Sequence, residues 1–185
     1  MEKKELISII IPYHKKKFFF EETLKSISSQ SYKYFEILIV YDDEDKSELN
    51  YVKNLIKKFE NLQIKLIINE NNLGAGLSRN KAINLSKGEL IAFCDADDIW
   101  QTDKLKTQIK IIHEKKIEFI HSDYNVIDNK SNIIGFFTAP KIITKKELIK
   151  SCNIGLSSVL ISKNLLNKFQ FSGLKTKEDY LLWLQ

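Results

Sequence analysis

Along the first two-thirds of the chain, short unbroken apolar runs alternate with apolar residues at helical spacing. Leu6 to Ile11 is one such run, broken only by Ser8 and stopped by Pro12. Glu36 to Tyr41, Ile64 to Ile68, Leu90 to Cys94 and Ile117 to Ile120 are the others. Runs of this length without polar alternation predict strands covered on both faces, as in a parallel sheet. Between them, Phe20, Leu24 and Ile27 recur at helical intervals, as do Leu49, Val52, Leu55, Ile56 and Phe59. Ala82 with Leu85, and Leu105, Ile109 and Ile112, mark two further helices. Thr102 is the expected N-cap of the last of these, with Asp103 in its first turn. Strand and helix alternate through residue ~121, which predicts an α/β sandwich around a mainly parallel central sheet.

The pattern then changes. Tyr124 to Phe137 reads as a hairpin turning at Asp128 to Ser131. Thr144-Lys145-Lys146-Glu147 is a capping box that opens a short helix. Val159 to Ile161 is a late strand, and Thr176-Lys177-Glu178-Asp179 opens a final apolar segment with Thr176 as a candidate cap. This irregular part is expected to cover the ligand edge of the sheet. A last helix of about two turns has little to pack on and should fray.

Composition narrows the function. With 185 residues, a net charge of +5 and a pI near 9.0, the chain suits an anionic ligand. No stripe of interleaved basic and aromatic residues points to nucleic acid. Cys94 and Cys152 form no Cys-x-x-Cys pair and read as reduced core thiols of a cytosolic protein. Met1 to Glu5 leads into an apolar run too short for a signal peptide, and no stretch approaches the ~20 residues of a membrane span. Lys15-Lys16-Lys17 reads as a solvated loop.

The candidate chemistry sits where the apolar runs end. Leu90 to Cys94 stops abruptly in Asp95-Ala96-Asp97-Asp98. A buried strand cannot carry acids inside it, so they emerge at its carboxyl end, where open α/β sheets bind ligands. Carboxylates spaced Asp-x-Asp can face one divalent cation, and that cation can hold a diphosphate. Pro12-Tyr13-His14, Asp42-Asp43, and the Asn72 to Asn80 loop with Arg79 are expected on the same edge. An aromatic ring, carboxylates and an arginine are what a nucleotide site needs. The turn after the first strand contains no glycine, which argues against a dinucleotide-binding dehydrogenase.

Taken in order, several segments resemble family 2 glycosyltransferases of the GT-A fold. They are Ser8-Ile9-Ile10-Ile11-Pro12-Tyr13, Phe35 through Asp43, Asn72-Leu73-Gly74 through Arg79-Asn80, Asp95-Ala96-Asp97-Asp98, and Lys177-Glu178-Asp179-Tyr180-Leu181-Leu182-Trp183. The resemblance implies a single GT-A-like domain over residues 1–185, with 1–121 binding the nucleotide sugar and 122–185 forming a partial acceptor side. It implies inverting transfer from a nucleoside-diphosphate sugar, usually UDP-linked, to a glycan, lipid-linked or other hydroxyl acceptor. Tyr13 and Asp42 would then contact the base, with Pro12 in the nucleotide-sugar site and Arg79 near the base or phosphates. Asp95 would hold ribose or sugar hydroxyls, Asp97 would ligate Mn²⁺ or Mg²⁺, and Asp179 would be the general base. The resemblance also implies a place in bacterial surface glycan synthesis, in the cytoplasm at the inner face of the membrane, with peripheral membrane contact. A non-catalytic relative that only binds the nucleotide sugar is the alternative.

Overall fold

The structure is a computed structural model and describes residues 4–185; Met1 to Lys3 lie outside the described residues. Four parallel strands come first: β1 (Ile7–Tyr13), β2 (Phe35–Tyr41), β3 (Ile64–Ile68) and β4 (Leu90–Phe93). Helices α1 (Phe20–Ser28), α2 (Leu49–Lys57) and α3 (Ala75–Leu85) connect them, and α4 (Lys104–Lys115) follows β4. Then come β5 (Phe119–Ile120), the hairpin β6 (Tyr124–Ile127) and β7 (Ile133–Phe137), and α5 (Lys145–Lys150). A 3₁₀ turn at Leu156–Ser158 leads into β8 (Leu160–Ser162), α6 (Lys163–Leu166) and α7 (Glu178–Leu184).

The six-stranded sheet has the order β3-β2-β1-β4-β8-β5, with β8 antiparallel to both β4 and β5. The chain moves outward from β1 to β3, then returns to place β4 on the other side of β1. That reversal leaves a crevice between the carboxyl ends of β1 and β4, the usual ligand position in such sheets.

Strand alternation divides the core in two. Ile7, Ile9, Ile11 and Tyr13 face Leu24, Ile27, Val52, Leu55, Leu105 and Ile109 on one side. Ile10, Leu38, Val40 and Phe93 face Ala82, Ile83, Val159 and Leu182 on the other. Each such fully buried aliphatic side chain contributes about 1.5–3 kcal/mol. Ser8, the one polar break in the first apolar run, donates to Glu36 Oε1 (2.6 Å) and accepts from the Gly88 amide (2.8 Å). Its hydroxyl is therefore satisfied without water.

Local expectations fared unevenly. The Thr144–Glu147 capping box forms in both directions. The expected hairpin forms as a separate two-stranded sheet, its turn held by the Asp128 carboxylate, which accepts from the amides of Lys130 and Asn132. Thr102 does not cap α4; Asp103 occupies that position, makes no side-chain cap bond, and accepts instead from the Ser31 hydroxyl (2.6 Å). Thr176 does not cap α7, because Lys177 holds the cap position in a left-handed conformation (φ 61°). Strand β5 is shorter than its apolar run because α4 ends on left-handed Lys116, and the Ile117 amide turns back to the Ile112 carbonyl. Cys94 is buried as expected, but Cys152 is exposed and is not a core thiol. No helix among the described residues is long and apolar enough to cross a membrane.

Candidate active site

The loop after β4 is clamped from two sides. Thr23 of α1 donates its hydroxyl to the Ala96 carbonyl (3.0 Å), and the Trp100 amide donates to Ser26 Oγ (3.1 Å). From the 3₁₀ turn, Ser157 accepts from the Asp95 amide (3.0 Å) and, through its carbonyl, from the Trp100 indole (2.9 Å). The loop therefore presents its three acids from a fixed backbone. Asp97 Oδ2 lies 2.6 Å from the Lys16 ammonium, an ion pair that spans the β1/β4 crevice. Asp98 reaches the surface, yet burial of its carboxyl raises its pKa to about 6; the Ser157 hydrogen bond opposes this, and the charges of Asp95 and Asp97 add to it.

Asp95 Oδ1 receives Arg79 Nη2 at 2.7 Å, and Arg79 Nη1 reaches Glu178 Oε1 at 2.7 Å. The guanidinium is buried, lies over the Phe171 ring, and leaves its Nε without a partner among the described residues. Arg79 thus ties the β4 loop to the start of α7, 99 residues away in sequence. Gly76 makes this possible: a Cβ there would lie 2.5 Å from the Ser172 carbonyl oxygen and 3.0 Å from Glu178 Cγ. Gly74, two residues earlier and at the N-cap, enters α3 with φ +83°, a conformation L side chains rarely adopt. Beside Glu178, Asp179 is half-buried, and burial raises its carboxyl pKa; the Glu178 charge adds to the rise, while the Tyr180 amide and Arg79 oppose it.

The base side differs from expectation. Tyr13 is fully buried, edge-on to Phe20 and stacked on Tyr41, with its hydroxyl donating to Glu48. Its ring is closed to a nucleobase because it continues the inward face of Ile7, Ile9 and Ile11. Pro12 is half-buried in β1 opposite Val40. The exposed ring at this turn is His14, whose Nδ1 lies 2.9 Å from the Asp42 carbonyl and 3.2 Å from Asn72 Nδ2. Asp42 is buried, and its Oδ1 accepts from Asn69 Nδ2 and the Leu73 amide, both at 2.8 Å. Asp43 is buried too, and its Oδ2 has no hydrogen-bond donor among the described residues; the nearest ammonium, Lys15, is 3.9 Å away. A buried carboxylate oxygen without a donor is uncommon and marks a place where a donor fits.

Among the described residues, no group of three or more His, Cys, Asp or Glu side chains is poised around one point. The acids of the β4 loop are the residues that would hold a divalent cation. Asp97 already draws a cation, the Lys16 ammonium, to hydrogen-bonding distance, and the acids are hard oxygen donors of the kind Mg²⁺ and Mn²⁺ accept. With so few protein ligands, ligand phosphates and water would complete the shell.

Comparison with known proteins follows the same lines. Residues 8–156 match the profile described as Glycosyl transferase family 2. The chain belongs to glycosyl transferase family 2. It is 39% identical over 179 residues to the Escherichia coli UDP-Glc:alpha-D-GlcNAc-diphosphoundecaprenol beta-1,3-glucosyltransferase WfgD, a match covering 97% of this chain and 68% of that protein. Among solved structures it superposes on S. aureus TarS 1–349 in complex with UDP with a TM-score of 0.72 and 25% identity, over 95% of this chain and 53% of TarS 1–349. The mannosyltransferase PcManGT from Pyrobaculum calidifontis, in complex with GDP-Man and Mn²⁺, has a TM-score of 0.71 at 15% identity, covering 93% and 49% of the two chains; it shares the fold. The mainly parallel sheet is thus that of a GT-A glycosyltransferase.

Within this family 2 domain, the structure brings Arg79, Asp95 and Glu178 into contact and sets Asp179 beside them. Asp97 joins them through the shared β4 loop. Asp42 and Pro12 lie at the neighbouring strand ends, whereas Tyr13 faces the core. Lys16 and Glu178 are the additions to the sequence-derived set; His14 and Asp43, expected on this edge without an assigned role, gain specific surroundings. Lys16 lay in a lysine run that read as solvated, and no sequence signal separates it from its neighbours.

Proposed function

We propose that the domain transfers a sugar, with inversion, from a UDP-linked donor to a hydroxyl of a lipid-linked glycan during bacterial surface glycan synthesis, with a divalent cation at Asp97. The observation that carries the proposal is the Asp95–Arg79–Glu178 bridge, which joins the donor-side loop to the helix bearing Asp179. WfgD, by its name, uses UDP-Glc and a diphosphoundecaprenol-linked acceptor, and TarS was solved with UDP.

In this reading Asp43 accepts the imide N–H of the base, whose donor would satisfy its open oxygen. Asp42 fixes the Asn69–Leu73 loop beneath, and His14 supplies the exposed ring at the base site. Asp95 accepts ribose or sugar hydroxyls with the oxygen that Arg79 leaves free. The cation, when bound, neutralises the departing diphosphate. Asp179 takes the proton from the acceptor hydroxyl, and a carboxyl pKa raised by burial suits a base working near neutral pH. The resulting alkoxide-like oxygen attacks the anomeric carbon on the face opposite the diphosphate, giving inversion. The reaction would take place at the cytoplasmic face of the membrane.

Asp179→Asn tests the assignment. Transfer from UDP-glucose to a GlcNAc-diphospho-lipid should fall by about 10²-fold or more, the usual contribution of a general base, with UDP affinity unchanged. Unchanged transfer per folded molecule would remove Asp179 from the chemistry. Donor binding by the wild type without transfer to any acceptor would leave only the nucleotide-sugar-binding alternative.

A further inference from the structure

The β6–β7 hairpin stands apart from the main sheet, and its two faces differ. On one face Tyr124 stacks on Phe137 (4.8 Å between ring centres) and closes over Gly155, where a Cβ would lie 2.9 Å from the tyrosine ring. Away from that contact, Ile133, Ile134 and Phe136 are each about two-thirds exposed, 66%, 67% and 64%. Farther along, Ile142 and Ile149 are 81% and 60% exposed. Single exposed apolar residues are ordinary, but a concentration of large ones in one segment marks an interaction surface.

The charge of the same segment is one-sided. Residues 124–150 carry Lys130, Lys141, Lys145, Lys146 and Lys150 against Asp128 and Glu147 only, a net +3 of the chain's +5. Both acids are occupied internally, Asp128 in the hairpin turn and Glu147 in the capping box. None of the five lysines forms an ion pair among the described residues. Large apolar side chains among unneutralised lysines match a surface that is apolar inside and anionic at its face, which is an anionic bilayer.

The hairpin also stands at the mouth of the candidate site. Its turn residue Ser131 donates to Glu22 Oε2 (3.3 Å) in the first turn of α1. The loop just before that turn carries Lys16, paired with Asp97, and Phe18, which is almost wholly exposed.

We infer that the β6–β7 hairpin and the following segment to Lys150 seat the domain on an anionic lipid surface, with Ile133, Ile134 and Phe136 entering the headgroup layer and the lysines facing lipid phosphates. The inference rests on the lipid-linked acceptor proposed above and adds the surface by which the domain reaches it. It places the crevice between β1 and β4 at headgroup level, where the sugar of a lipid-linked acceptor lies.

The test is co-sedimentation with vesicles of phosphatidylcholine alone or mixed with phosphatidylglycerol, using the wild type, an Ile134→Ser/Phe136→Ser variant and a Lys145→Glu/Lys146→Glu variant. All of these substitutions are at exposed positions, and a thermal melt of each variant confirms folding. The expected result is binding to phosphatidylglycerol vesicles that each variant weakens at least about tenfold and that salt weakens further. Absence of binding to either vesicle, or binding that both variants leave intact, overturns the inference. Light scattering on the same samples gives the other occupant: a dimer of the wild type that Ile134→Ser/Phe136→Ser dissolves would make the hairpin a protein interface, and would also overturn it. UDP titration of the wild type reads the donor site separately, so its failure would count against the proposed activity and leave the lipid result standing.

Discussion

Buried Arg79 joins two carboxylates, that of largely buried Glu178 and that of Asp95, whose side chain is 40% exposed. Asp95 and Glu178 each lie 2.7 Å from its guanidinium, and its planar fork lets one side chain serve both. Removing the guanidinium leaves the largely buried Glu178 carboxylate uncompensated while water still screens Asp95, so Arg79→Met should lower stability in urea by about 1–3 kcal/mol. Adding Glu178→Gln should recover part of that loss; purely additive losses would mean the bridge is energetically inert. A second residue-scale prediction concerns pH. Burial over the Trp100 face, with Nζ 4.2 Å from the ring centre, lowers the Lys104 pKa from 10.5 to about 7. Between those values the unfolded chain holds a proton that the folded chain has released, so stability gained through this group rises with pH across the window. Wild type should therefore gain on Lys104→Met between about pH 7 and about pH 10, and a constant gap in urea denaturation would refute this. The acids of the β4 loop were legible in the sequence because charge ending an apolar run has few other places to go. The inward setting of Tyr13 is legible too: period-two alternation from Ile7 puts it on the core face. Glu178 as Arg79's partner was not legible, because nothing in local spacing encodes a contact across 99 residues.

At the scale of elements, apolar periodicity found β1 to β4 and α1 to α4 because each is decided by which face is buried. Caps were harder. The Thr144–Glu147 box is closed by four neighbouring residues and was readable, whereas Thr102 and Thr176 depended on where the chain bends, which tertiary contacts decide. Thr144→Ala should cost about 1 kcal/mol, confined to α5 and visible as faster amide exchange of Leu148 and Ile149. The meeting of α3 with α7 is set by Gly76. Gly76→Ala would drive a methyl against the Ser172 carbonyl oxygen and the Glu178 stem, at a cost of about 1–3 kcal/mol. Because both act through one contact, its effect should be less than additive with that of Glu178→Gln. Strict additivity would mean that α7 docks by its apolar side alone, through Leu182.

For the molecule as a whole, topology turns scattered motifs into one site. The strand order β3-β2-β1-β4 puts the carboxyl ends of β1 and β4 side by side, and the Lys16–Asp97 pair crosses the crevice they form. The alternation of strands and helices made the parallel part of the sheet legible from sequence. The antiparallel insertion of β8 between β4 and β5 was not, because its three residues carry no signal of direction. Yet the segment leading into β8 carries Ser157, which fixes the β4 loop. The claim on which the rest depends is that this crevice binds a nucleoside diphosphate through Asp97 and a divalent cation. Calorimetric titration of UDP with and without Mn²⁺, on wild type and Asp97→Asn, measures it directly. The prediction is binding by wild type that Mn²⁺ strengthens at least about tenfold, and loss of that Mn²⁺ effect in Asp97→Asn while the fold survives. Equal UDP affinity with and without Mn²⁺ in both proteins would contradict it.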